Sequence, residues 1–599
     1  MAPLISGSEW RWVLLWTMAA SLVVNVPYLF GWAVSTPRTQ FGGAVYNVQD
    51  VNSYLAKMRQ GARGEWLFHI PYTVEEHPGT IIYLFYLLLG KVAALTGLSL
   101  EWTFNLARLV CGALLLSTVY AFAARFTPHR AVRRIAFLLI AFSGGLGWLL
   151  TLLGKPQWLG MLPIDLILPE GYAFLTLYSS PHIALATACI LWGLLRVQQG
   201  CVNDRIAPVL SGAVSFFIAA LIGGFYLLVP YAVLVTHWLV IALRRRQPDW
   251  KTAGWIVLSG MLPALVIGYT YYFFASDPVY RTWAAQNLVR SPHPLHYLAG
   301  YAIVGALALL GGLWAVRRRR WQLQLPLIWV AIVPVLLYSP FNLQRRLIIG
   351  AQTPLCLLAA LGLVHALALP FGRLRVVRRL SRHPRYSRAG MRGLLIAAVI
   401  MLTVPTNLLL ILGNGVEVAQ RKAPIFHSGA ELDALDWLRT HTAPDDTVLC
   451  AYETGNYVPA RAGNRVLLGL GTETIHVERK RAEVLRFFDA AQTDAWRQEL
   501  LKRYQVAYVL IGPNERALGS FNPDRASYLH VVYAASSTSG GHGASADDSY
   551  TIYQVRRSQS NTHPNRSPRS SRIARSGDVR RCCVIRDLAI PHERWWTLG

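Results

Sequence analysis

A chain of 599 residues that is 53% hydrophobic and only 15% charged, with a mean hydropathy of +0.33, is too apolar for a soluble protein; it has room for many membrane spans and one separate domain. Its formal net charge of +27 would suggest nucleic acid in a soluble chain. Here the arginines cluster between apolar segments and in the C-terminal tail, as positive-inside loops do, so nucleic acid is not an expected partner.

The first apolar run, 11–34, is long for a signal-peptide core and is followed by no obvious cleavage site, so it reads as a retained span. Further runs of spanning length lie near 102–124, 135–153, 180–198, 207–222, 224–243, 253–275, 297–316, 323–338, 351–370 and 393–412, making about eleven spans. The run 81–98 is read as an interfacial helix: Lys91 sits in its middle, and a twelfth crossing would put the Arg-rich loops on the wrong side. The expected topology is N-terminus cytoplasmic, C-terminal domain extracytoplasmic, in the plasma membrane. The outer loops are then 35–80, 155–179, 276–296 and 339–350.

In the first outer loop Asp50 stands in Tyr46-Asn47-Val48-Gln49-Asp50-Val51-Asn52-Ser53-Tyr54. Val51, Tyr54, Leu55 and Met58 recur at helical spacing, so 50–60 is expected to form a short interfacial helix, and Asp50 at its start could simply cap it. The alternative is a general base taking a proton from an acceptor hydroxyl. Glu75, Glu76 and His77 close the loop as candidates for holding Mg²⁺ or Mn²⁺, or for ordering the loop by hydrogen bonds.

The second outer loop carries Asp165 and Glu170 and ends at His182 on the threshold of the next span, where acids and a histidine line a site or are paired. The third contains Trp283, Gln286, Asn287, His293 and His296, types that stack on and bond a sugar but also populate any interface. Arg345 and Arg346 form a guanidinium pair on the side where few are expected; their forked donors suit the phosphate of a lipid carrier, or a headgroup.

From about 413 the composition changes. Residues 431–440 read as an amphipathic helix, 447–451 as a strand, 482–504 as helices, 506–511 as a buried strand, and 528–534 and 550–555 as two more strands: a small α/β domain, 413–557. The tail, 558–599, is Arg-rich without periodicity and reads as disordered. Seven cysteines, at 111, 189, 201, 356, 450, 582 and 583, show no metal spacing and imply no disulfide framework.

An acid in the first outer loop (Asp50), an interfacial helix after it (81–98), Asn105-Leu106-Ala107-Arg108 opening the next span, an acid after the third span (Asp165 or Glu170) and an outer soluble domain together resemble the GT-C class of integral-membrane glycosyltransferases, of the protein O-mannosyltransferase and aminoarabinose transferase type. The resemblance covers the architecture of 1–412, as a transmembrane catalytic module. It implies that Asp50 is the catalytic base and that the donor is a polyprenyl-phosphate sugar. Position 51 is Val and 52 is Asn where that class commonly pairs acids, which leaves the metal requirement open.

The expected reaction is therefore transfer of a sugar to an acceptor hydroxyl of unidentified class, with inversion. Asp50 acts as base and Arg345 and Arg346 hold the donor phosphate, while Asn52, Tyr54, Glu75, Asp165, Glu170 and His182 bind or orient substrate. A transporter of lipid-linked glycans is the alternative, but transporters carry repeats and charge-bearing broken helices at mid-membrane, and no internal repeat is found here. An inactive scaffold presenting the outer domain is a third reading.

Overall fold

The computed structural model describes residues 5–383, 386–535 and 549–556. The expected tail, 558–599, and the cysteines at 582 and 583 lie outside them. Among the described residues seven helical stretches are long and apolar enough to cross a membrane: Gly7–Ala33 (α1), Leu100–Phe126, Arg130–Leu152, Pro181–Asn203, Ile206–Arg245, Trp250–Ser276 and Gln344–Phe371. Two bent pairs, Pro294–Gly300 with Ala302–Arg317 (85°) and Arg388–Leu402 with Pro405–Gln420 (44°), bring the number to nine.

Two features separate this from the expected eleven. The runs 207–222 and 224–243 form one helical stretch, interrupted where Gly223 takes an extended conformation (φ −171°, ψ 101°). Its 40 residues would reach about 60 Å as a straight helix, twice the hydrocarbon thickness, so each half suffices for one crossing. The run 323–338 is a shorter helix, Trp321–Leu337. The last apolar helix continues past 413 to Gln420.

After α1 the chain forms strand β1 (Thr39–Phe41), helix α2 (Val48–Ala62) and helix α3 (Leu84–Thr96). Val48, Val51, Leu55 and Met58 are buried at helical spacing along α2, as their sequence period requires. With 13 residues α3 is about 20 Å long, too short to cross, in keeping with an interfacial role. The two helices meet backbone to backbone. A Cβ on Gly61 would lie 2.0 Å from the Leu87 carbonyl oxygen, and one on Gly90 would lie 1.8 Å from that of Met58. Gly90→Ala is accordingly expected to lower stability by about 1–3 kcal/mol, because the obstruction is backbone that no rotamer change relieves. Thermal unfolding of the purified protein in detergent measures it.

The helices and strands of the C-terminal part follow the expected order. Strands β3 (Thr447–Leu449), β4 (Val506–Ile511), β5 (Leu529–Ala535) and β6 (Tyr550–Val555) form a sheet in the order β3-β4-β6-β5, with β3 parallel to β4 and the other pairs antiparallel. Every residue of β4 is buried, because Leu500, Leu501 and Phe487 pack one face and Trp437 meets Tyr508 and Tyr533 on the other. A strand covered on both faces reads as an unbroken apolar run, which is how Val506–Ile511 appears in the sequence.

This domain joins the rest of the chain at more than one seam. Strand β2 (Phe426–Ser428) pairs antiparallel with β1, setting Gln40 opposite His427. Helix Tyr452–Arg461 lies along α2: Asn52 Nδ2 donates to Asn456 Oδ1 (2.8 Å) and Arg59 Nε to the Ala460 carbonyl (2.6 Å). The described residues belong to a single compact unit.

Candidate active site

Asp50 occupies the first turn of α2, but it does not cap the helix. The N-cap is Asn47, held in the left-handed region at φ 52°, with no side-chain capping bond, and its Nδ2 donates to Asp50 Oδ2 (3.0 Å). Asp50 is therefore not the N-cap, and its place in the first turn is one the helix dipole favours for a carboxylate. Asp50 shares α2 with Ser53, Tyr54 and Lys57, three to four residues apart and therefore on one stripe of the helix.

Around that stripe the chain returns from five distant places. Tyr54 stacks on Tyr86 (centroids 4.4 Å, 7°) and meets His182 edge-on (5.1 Å); His182 Nδ1 shares a hydrogen bond with the Tyr86 hydroxyl (2.6 Å). Glu170, 5% exposed, faces the half-exposed Arg346 (Nε to Oε1 3.8 Å), and the Tyr226 hydroxyl reaches both. Lys57, fully buried, donates to Glu473 Oε1 (2.6 Å) and to Ser53, and lies 4.1 Å from the centre of the Tyr83 ring.

The carboxyl of Asp50 is pushed above the ordinary aspartate range chiefly by burial; the Arg346 guanidinium pulls it back, and Glu473, Lys57 and Glu170 act on it as well. Those charges act on one carboxyl, so they share one neighbourhood. It holds carboxylates Asp50, Glu170 and Glu473 and cations Lys57, Arg346 and, beside Tyr46, Arg345. Lys57 pairs with Glu473 and Arg346 with Glu170, so Asp50 and Arg345 are left without an ion-pair partner among the described residues. Arg345 Nη1 reaches only the Met161 sulfur (3.6 Å), and its Nε is buried without a partner.

Positioning comes from buried polar side chains. Arg108, in the Asn105–Arg108 opening of Leu100–Phe126, donates through Nη1 to the carbonyls of Leu177 (3.1 Å) and Tyr178 (3.0 Å) and through Nη2 to Asn25 and Asn105. Those carbonyls end the helix Ala173–Ser179, so the cation meets the negative end of its dipole and fixes the turn into His182. The hollow beside Glu170, lined by Thr187 and Gln352, is only about 10 Å³, the room of one water.

Several expected site residues lie elsewhere. Asp165, 1% exposed, accepts through Oδ2 from the backbone N–H of Gly145 (2.8 Å) and Gly147 (3.0 Å) and so ties a glycine turn, while its Oδ1 is buried without a partner among the described residues. Asn52 is spent on Asn456. Glu75 pairs with Lys480 (2.7 Å) and accepts from Thr73; His77 donates from Nδ1 to the Glu75 carbonyl (2.8 Å) and accepts at Nε2 from Ile70 N–H (2.9 Å); Glu76 is exposed. The three face different ways, and among the described residues no three His, Cys, Asp or Glu gather as a metal set. Glu75 and His77 thus order the loop by an ion pair and hydrogen bonds, the other role the sequence allowed them.

Trp283, Gln286 and Asn287 bond the backbone carbonyls of Thr472 and Thr474. Lys57, Tyr83, Tyr226 and Glu473 are the site residues missed in the sequence. For Lys57 a signal existed, since Asp50, Ser53, Tyr54 and Lys57 recur at three- and four-residue spacing and share one face of α2.

No family model matches the chain, and no curated protein does. Among solved structures it is similar to the apo oligosaccharyltransferase of Archaeoglobus fulgidus (13% identity, 89% of this chain and 74% of that one, TM-score 0.49). It is also similar to ArnT from Cupriavidus metallidurans bound to undecaprenyl phosphate (14% identity, 91% and 98%, TM-score 0.48) and to a mutant of the arabinofuranosyltransferase AftD from Mycobacteria (15% identity, 92% and 42%, TM-score 0.49). Superposition this loose says nothing of individual side chains, and the chemistry is read from the site.

Proposed function

We propose that the protein transfers a sugar from a polyprenyl-phosphate carrier to an acceptor hydroxyl at the extracytoplasmic face of the membrane, with the N-terminus cytoplasmic and the outer domain outside. The observation that carries this reading is the single neighbourhood shared by an unpaired, burial-raised carboxyl, Asp50, and the guanidiniums of Arg346 and Arg345.

Asp50 takes the proton of the acceptor hydroxyl as its oxygen attacks the anomeric carbon. The bond from that carbon to the phosphate oxygen breaks, and its electron pair leaves with the phosphate. Charge grows on the departing group, where Arg345 and Arg346 stabilise it. Attack from the face opposite the phosphate inverts the anomeric centre. Glu170 and Tyr226 hold Arg346, and Tyr54, backed by the buried Tyr86 and His182, offers the aromatic face against which a sugar lies.

Binding of undecaprenyl phosphate to the purified protein tests the reading. Arg346→Lys keeps the charge beside Glu170 but loses the planar fork, and is expected to weaken that binding about tenfold, the worth of one directed charge-assisted hydrogen bond. Wild-type protein that does not bind the lipid phosphate would refute the proposal.

A further inference from the structure

Glu473 is carried by a loop that both halves of the molecule grip. Trp283 Nε1 and Asn287 Nδ2 each donate to the Thr472 carbonyl (2.8 Å), and Gln286 Nε2 donates to that of Thr474 (2.8 Å), so side chains from the third outer loop hold the backbone on either side of the acid. Inside the loop the N–H groups of Glu473 (3.0 Å) and Thr474 (2.8 Å) donate to the Leu470 carbonyl.

The side chain presented is a carboxylate only 4% exposed. Its Oε1 accepts from Lys57 Nζ (2.6 Å) and Ser53 Oγ (2.8 Å). Its Oε2 is buried and has no partner among the described residues. Leaving a buried acceptor unmatched costs about 1–3 kcal/mol, and more for a charged one, so native structures rarely tolerate it. Lys57 does not meet the need: its ammonium is engaged with Ser53 and Glu473 and rests on the Tyr83 ring. The neighbours are those of the site, since the charge of Glu473 acts on Asp50 and Tyr83.

We infer that the outer domain completes the site, Glu473 Oε2 accepting a hydrogen bond from a hydroxyl of the sugar that the lipid phosphate carries. Glu473 is then a specificity residue: it distinguishes a loaded carrier from an empty one, because a bare polyprenyl phosphate offers no sugar hydroxyl. The inference rests on the glycosyl-transfer reading above.

Displacement of labelled undecaprenyl phosphate from the purified full-length protein separates the two ideas. The competitors are unlabelled undecaprenyl phosphate and the polyprenyl-phosphate-sugar fraction extracted from membranes of the source cells. Glu473→Gln keeps an oxygen toward Lys57 and Ser53 but replaces the second oxygen by an N–H donor. It is expected to compete normally with the bare phosphate and about tenfold less well with the lipid-linked sugars, one hydrogen bond's worth of free energy.

The double variant Lys57→Met/Glu473→Leu removes both charges together and guards against misfolding, since replacing a buried ion pair by apolar residues is often neutral. It should unfold near the wild-type temperature and still show the selective loss. Equal affinity of both variants and wild type for the sugar fraction would overturn the inference while leaving the transfer reading standing. Wild type that binds neither competitor would overturn both.

Discussion

Asp50→Asn is expected to lower sugar transfer by about 10²–10⁴, the usual worth of a general base, while undecaprenyl phosphate binding and the unfolding temperature stay where they are. The substitution is nearly isosteric, and its amide oxygen can still accept from Asn47, so the start of α2 keeps its shape. What disappears is the site that takes the proton. The measurement is transfer of labelled sugar from the polyprenyl-phosphate fraction by protein reconstituted in liposomes; undiminished transfer by the variant would remove Asp50 from the mechanism.

The same carboxyl sets a pH dependence. A base works only when ionised, and burial favours the neutral form of Asp50, outweighing the pull of Arg346. Wild-type transfer should therefore fall off on acidification at a pH above the ordinary aspartate value of about 3.9. The direction follows from desolvation, which raises the pKa of any acid it buries.

Lys57→Ala has the largest expected effect on stability, a loss of about 3–5 kcal/mol. The pair it breaks is inaccessible on both sides, 0% exposed for the Lys57 side chain and 4% for that of Glu473, so truncation leaves a carboxylate buried with only Ser53 to answer it. Because Lys57 lies on α2 and Glu473 in the outer domain, the loss falls on the contact that joins the two. Thermal unfolding, with limited proteolysis of the outer domain as a second readout, measures it. Unfolding at the wild-type temperature would show that water reaches the pair.

Local pattern alone located many of the elements. The four strands of the outer sheet and the helices between them appear at their expected places because alternation, amphipathic spacing and the unbroken apolar run of β4 are properties of short segments. The short helix 84–96 is legible for the same reason: Lys91 interrupts an otherwise apolar run, and its ammonium reaches the Gly64 carbonyl and the Trp66 face. Asp50 stood out because an acid beginning a helix next to a membrane span is unusual in a chain with so few acids.

The partners of Asp50 were a different matter. Asp165 and Glu170 stand five residues apart in one loop and look equivalent in the sequence, yet one accepts from Gly145 and Gly147 while the other faces Arg346. Trp283, Gln286 and Asn287 resemble sugar ligands until the loop they bond is seen to belong to the outer domain. Composition and hydropathic period determined that this is a membrane protein with an α/β arrangement in its C-terminal part and an acid in the first turn of α2. Only the tertiary structure decided which charges stand around that acid, because whether Lys57 or Glu473 meets water or another side chain depends on chain returning from some 416 residues away. Burial and pairing are properties of that return, and no window of sequence contains them.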